Sequence, residues 1–170
     1  MRSQPKGWCA ANRGRANRGM RRQRVEIPFR ATHAGFAHAF SRLRGALDGE
    51  GLDPAPRYNV ELVFEEIVAN IVAHGAVDGR EPDVRVTLEP SSDSIVLKFE
   101  DDGPPFDPRG RTDPVPAKSL EEARIGGFGL MLVRRAASAL DYLRTAEGRN
   151  RVTVTLPRGG TPVRSCEAVV

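Results

Sequence analysis

Residues 56–74, PRYNVELVFEEIVANIVAH, carry the strongest helical pattern in the chain. Val60, Val63, Phe64, Ile67, Val68, Ile71 and Val72 recur at i, i+3, i+4 and i+7, which lines one side of a helix with apolar groups. A stripe of that length must be buried against a second layer, so it constrains what the flanking segments can form. Gly75 follows as a stop signal.

The flanking segments can supply that layer. Residues 23–30 (QRVEIPFR) alternate Val25, Ile27 and Phe29 with polar neighbours, which predicts a strand with one buried face. Pro28 lacks an N–H and predicts an edge position. Thr32 is placed to cap a helix over 33–48, with Phe36, Phe40, Leu43 and Leu47 at helical spacing; Gly49, Gly51 and Pro54 end it. Strands are predicted at 83–89 and 94–100, joined by Ser91-Ser92-Asp93. Residues 101–125 have no period and hold five prolines, a long loop of the kind that is usually functional or disordered. A helix over 127–139 and strands over 140–146 and 151–156 complete the order β-α-α-β-β-loop-α-β-β. That order predicts an α+β two-layer sandwich, with helices on one face of a mixed, mostly antiparallel sheet.

The charge is unevenly distributed. The chain has 170 residues and a net charge of +4, but residues 1–24 hold seven Arg and one Lys with no acid. The other 146 residues hold 18 basic and 22 acidic side chains, a net of −4. Three domains of sequence result: a basic, disordered tail at 1–22, an ordered body at 23–157 and a patternless end at 158–170. The tail reads as a solvated extension, as a contact for an anionic partner, or as a leader before a true start at Met20. The body lacks any aromatic-basic pattern, and aromatics total 6%, so direct nucleic-acid binding is not expected. Cys9 and Cys166 suggest neither a disulfide framework nor a metal site. No apolar run approaches 18 residues and no secretory h-region is visible, so a cytoplasmic protein without a membrane span is expected.

Three groups of residues could carry chemistry. Glu66, Asn70 and His74 form one row along the central helix, at the border of its apolar stripe. Glu can act as a general base, and Asn offers a neutral oxygen to Mg²⁺; a solvated helix edge is the bland alternative. Asp101-Asp102-Gly103-Pro104-Pro105-Phe106-Asp107 follows a strand directly, where an Asp can accept from an exocyclic amine; an acidic turn is the alternative. Gly126-Gly127-Phe128-Gly129-Leu130 opens a helix and would expose backbone N–H groups to phosphate; a flexible loop end is the alternative. It is neither a P-loop nor a Rossmann fingerprint.

Taken together, in this order and placement, the three resemble the Bergerat-type ATP-binding fold of the GHKL superfamily. Glu66 to Asn70 match its N-box, Asp101-Asp102-Gly103 its G1 box and Gly127-Phe128-Gly129 its G2 box. The closing strand from Asn150 is similar to the family's last strand, with Thr153 at the position of its adenine-supporting Thr. The resemblance spans about residues 22–157 and is strongest to the anti-sigma factor serine/threonine kinases of bacterial partner-switching systems. His33 and His38 lie on a short helix that lacks a phosphoacceptor's usual acidic neighbour and Pro.

The resemblance implies an ATP-dependent protein serine/threonine kinase that uses ATP and Mg²⁺. Glu66 would be the base toward a partner's hydroxyl, and Asn70 the metal ligand. Asp101, supported by Thr153, would take the adenine amine. His74, Gly103, Arg124, Gly127, Phe128 and Gly129 complete the nucleotide-binding set, with a lid at 103–125. The implied partners are a STAS-domain antagonist and a sigma factor or other effector; a homodimer is a further expectation. A non-catalytic ATP-binding module that sequesters a partner is the alternative. One departure is Pro105, which replaces the second Gly of the G1 box, stiffens the hinge and removes a donor.

Overall fold

The computed structural model describes residues 22–110 and 128–159. The basic segment before residue 22, the stretch 111–127 and the last eleven residues lie outside the described residues. With them lie Cys9, Cys166, Arg124, Gly126 and Gly127.

Five strands and three helices follow in the order β1 (Val25–Arg30), α1 (His33–Asp48), α2 (Pro54–His74), β2 (Asp83–Pro90), β3 (Ser94–Asp101), α3 (Gly129–Ala136), β4 (Ala139–Arg144) and β5 (Asn150–Pro157). The sheet order is β1-β2-β3-β5-β4, and all four pairings are antiparallel. Among the described strands the sheet is therefore antiparallel, without a parallel pair. β1 is an edge strand, as Pro28 predicts. Thr32 caps α1 by accepting from the Gly35 N–H at 3.0 Å.

The central helix buries the predicted stripe: Val60, Val63, Phe64, Ile67, Val68 and Ile71 all reach the core, and Val72 packs beside it. The sheet meets it with alternating residues: Ile27; Val84, Val86 and Leu88; Ile95, Leu97 and Phe99; Val152, Val154 and Leu156. Phe64 lies at the centre, with its ring 5.7–6.5 Å from those of Phe29, Phe36, Phe40 and Phe99. No helix among the described residues is long and apolar enough to cross a membrane.

The third helix is shorter than its sequence pattern. It stops at Ala136 because the chain has entered the sheet by Ser138, whose N–H and Oγ both donate to Thr155 O, at 2.8 and 3.1 Å.

Candidate functional site

The strand order makes the site. β3 and β5 are neighbours only because the chain leaves the sheet after Asp101 and returns through α3 and β4. Their register sets Asp101 opposite Asn150, and Arg144 of β4 is opposite Asn150 on its other side. All three share the parity of Val152 and Val154, the face that packs on the helices.

A pocket opens where this row meets the end of α2. Ile67, Asn70, Ile71, His74 and Gly75 line it from the helix, Asp101, Asn150 and Val152 from the sheet, and Pro104, Pro105, Phe106 and Pro108 from the loop. Its walls are mostly apolar, with a few polar groups converging on them, the usual composition of a small-molecule site.

Asp101 is the polar centre of the pocket, with 5% of its surface exposed. Its Oδ1 accepts from the Gly103 N–H at 2.9 Å and from Asn150 Nδ2 at 2.8 Å. Every sealed side-chain nitrogen or oxygen among the described residues has a partner. Oδ2 has no donor among those residues, so it opens on the pocket. Burial pushes the Asp101 carboxyl up, and Asn150, the Gly103 N–H and the charges of Arg144 and Arg149 pull it back only in part. Asp102 plays a different part. Partial burial acts upward on it, but the Asp83 N–H and Arg80 outweigh that and hold its carboxyl low. It anchors the approach to β2 through bonds of 2.8 Å from Asp83 N and 2.9 Å from Arg80 Nη1.

Gly103 is buried because its Cα approaches the end of α2. A Cβ there would lie 2.9 Å from both Asp101 Oδ1 and Gly75 O. Asn70 donates Nδ2 to Glu66 O at 2.6 Å, a bond back to the preceding helical turn. Its Oδ1 has no donor among the described residues, and Asn70 lines the pocket. Glu66, one turn earlier, is half-buried against the start of α3, beside Gly129. Phe128 caps α3 with 43% of its surface exposed, and His74 is exposed at the pocket rim.

A Mg²⁺ ion held chiefly by phosphate oxygens and water needs only one or two protein oxygens, and Asn70 Oδ1 fits that role. Among the described residues no cluster of three or more His, Cys, Asp or Glu could hold a metal alone.

Thr153 must be corrected. It pairs with Lys98 on one side and Asp141 on the other, and its parity is opposite to that of Val152 and Val154. Side chains alternate along a strand, so Thr153 lies on the sheet face away from the pocket. Asn150 is the residue of β5 that supports Asp101. The signal was in the sequence: Asn150, Val152, Val154 and Leu156 share one parity, and the three apolar members mark the buried face. Arg124 and Gly127 lie outside the described residues. Arg109, in the loop after Asp107, pairs with Asp107 at 2.8 Å and stands 5.8 Å from the Tyr142 ring centre.

A family model described as a histidine kinase-like ATPase domain matches residues 29–156. The serine/threonine-protein kinase BtrW of Bordetella bronchiseptica is 34% identical over 99 residues, which are 58% of this chain and 69% of that protein. The fold is similar to a crystal structure of the RsbU and RsbW domains of a Mycobacterium tuberculosis protein, with TM-score 0.56, 20% identity and 81% of this chain covered. The match spans 34% of that longer chain. It is also similar to a chain of the SiaB-SiaC complex from Pseudomonas aeruginosa, with TM-score 0.50 and 16% identity over 78% of this chain and 89% of that one.

Proposed function

The chain belongs to the histidine kinase-like ATPase domain family, in its group of anti-sigma factor serine/threonine kinases, and from that premise we propose that it transfers the γ-phosphoryl group of ATP to a hydroxyl of a STAS-domain antagonist. The observation that carries this reading is the convergence of Asn70 and Asp101, from different layers, on one apolar pocket with Glu66 a turn away.

Asp101 Oδ2 would accept from the adenine amine, with Ile67, Ile71, Val152 and Phe106 against the ring. Asn70 Oδ1 would hold Mg²⁺, which when bound neutralises phosphate charge. The start of α3 beside Gly129 would present free N–H groups to the phosphates. Glu66 would take the proton of the partner's serine or threonine hydroxyl as its oxygen bonds to the γ-phosphorus and the bond to ADP breaks. Such a transfer rests on positioning and charge neutralisation, so few groups are required. In a partner-switching system, the phosphorylated antagonist releases the kinase for a sigma factor or another effector, which gives this chain a role in transcription regulation.

The test is purified protein with ATP, Mg²⁺ and a STAS-domain antagonist, run beside Glu66→Ala. The expected result is a phosphorylated antagonist with the wild type, and ATP binding without transfer in the variant. ATP binding by the wild type with no phosphoryl transfer to any STAS partner would overturn the kinase reading and leave a nucleotide-dependent binding module.

A further inference from the structure

Two exposed aromatic side chains lie on the solvent side of the helical layer. Tyr58 of α2 has 63% of its surface exposed, and Phe128, at the start of α3, 43%. Leu62 and Leu132, each one helical turn on from one of them, are half-buried, yet neither packs against the core. Residues i and i+4 share a helix face, so Tyr58 pairs with Leu62 and Phe128 with Leu132. The two pairs adjoin. Gly129 lies against the Glu66 carboxylate. From there α3 runs back along α2, because the chain beyond it bonds to Thr155, near the end of the sheet where Arg158 meets Glu50 and α2 begins. The turn of Leu132 is therefore set beside the turn of Leu62. Together the four make an apolar strip that starts next to Glu66 and ends at Tyr58, eight helical residues or about 12 Å away. Among the described residues the other exposed large apolar side chains, Val77 and Leu143, stand apart on the turn at 77–80 and on β4, which is ordinary for a surface.

We propose that this strip is the docking surface for the phosphoacceptor protein, the STAS-domain antagonist, with Phe128 and Tyr58 as its anchors. The inference rests on the kinase reading above and deepens it. The reaction itself says what covers the strip. A hydroxyl that gives its proton to Glu66 must come within hydrogen-bond reach of that carboxylate, and a folded protein carries it there. A stable protein interface covers about 800 Å² on each partner, a disc of about 16 Å radius. Centred on Glu66, such a disc takes in the whole strip out to Tyr58. Aromatic side chains are enriched in interface cores, and a few anchors carry most of the binding energy. Phe128 does not line the base pocket. Its side chain serves the protein substrate, while the backbone N–H groups beside it serve the phosphates. The matching surface of the antagonist is apolar around the serine or threonine that receives the phosphoryl group.

The experiment measures phosphoryl transfer to a purified STAS-domain antagonist at saturating ATP, with ATP affinity measured separately. The proteins are the wild type, Tyr58→Ala, Phe128→Ala and Leu143→Ala. The last is a control, since Leu143 pairs with Arg151 on the sheet face away from the helices. Tyr58→Ala and Phe128→Ala should each raise KM for the antagonist roughly 10-fold or more, the cost of truncating an interface anchor. ATP affinity should change far less, and Leu143→Ala should match the wild type. A KM within about twofold of the wild type in both strip variants, below the cost of an anchor, overturns the inference. A loss in Phe128→Ala that appears in ATP affinity alone returns that residue to the nucleotide site and overturns it too. Self-association of the wild type that both variants abolish, with KM unchanged, assigns the strip to a second copy of the chain instead. Failure of the wild type to transfer phosphate overturns the kinase reading, and the inference with it.

Discussion

The carboxylate of Glu66 lies against the Cα of Gly129, so close that a Cβ at residue 129 would stand 2.7 Å from Glu66 Cδ. This contact lets the start of α3 approach α2 and brings a carboxylate beside free backbone N–H groups. Gly129→Ala should push Glu66 out of place while leaving the base pocket intact. Phosphoryl transfer to an antagonist should fall roughly 100-fold or more, the contribution of a positioned base, well beyond any loss of ATP affinity from the change at the phosphate-facing start of α3. Single-turnover transfer and equilibrium binding measure the two; unchanged transfer would count against Glu66 as the base.

Asn70 bears on the metal. Its Nδ2 is used by Glu66 O, which leaves one oxygen to offer. Chelating Mg²⁺ should weaken ATP binding by the wild type, because the phosphate charge is then no longer neutralised beside Asn70. Asn70→Ala should bind ATP about as weakly with or without Mg²⁺. Titration calorimetry in both conditions decides this, and an equal Mg²⁺ effect in both proteins would exclude Asn70 as a ligand.

Burial raises the Asp101 carboxyl in the folded chain. An acid held above its unfolded value is still protonated in the folded chain when it is already ionised in the unfolded one. Its contribution to stability is complete below the unfolded value, about 4, and is lost as pH rises through the folded value. Asp101→Asn removes that dependence and keeps an oxygen for Gly103 and Asn150. The stability of the variant relative to wild type should rise as pH climbs from about 4 through the raised folded value, while ATP binding is lost because an N–H now faces the amine. Urea unfolding across that range tests the sign; parallel profiles for the two proteins would refute it.

The far end of the sheet offers a control. Arg158 pairs with Glu50 Oε2 at 3.0 Å, with side-chain exposures of 14% and 12%, and also donates to Glu50 O and Ser91 O. These bonds tie the end of β5 to the α1–α2 connection and the β2–β3 turn. Arg158→Ala leaves Glu50 without its ion partner and should cost on the order of 3 kcal/mol. ATP affinity should not change, since β5 separates Arg158 from Asn150 by about 25 Å of strand. A denaturant melt checks the first expectation and a binding titration the second.

Much of this protein was determined locally, within single segments. The stripe from Val60 to Val72, the Thr32 cap, the edge position of Pro28 and the Glu66-Asn70-His74 row depend on residues within a turn or two of each other. Helix and strand periodicity report those relations directly. The pairing of Asp101 with Asn150 was decided by tertiary structure, because it needs the strand order to bring β3 beside β5 in one register. Thr153 is the reverse case: in a strand, a single position changes the face, and the alternation of Val152, Val154 and Leu156 already marks Thr153 as facing away from the helices. The contact of Glu66 with Gly129, and the meeting of Asn150 with Tyr142, Arg144 and Phe106, had no local signature. Segments distant in sequence meet where packing of the whole core puts them, and only folding makes that choice.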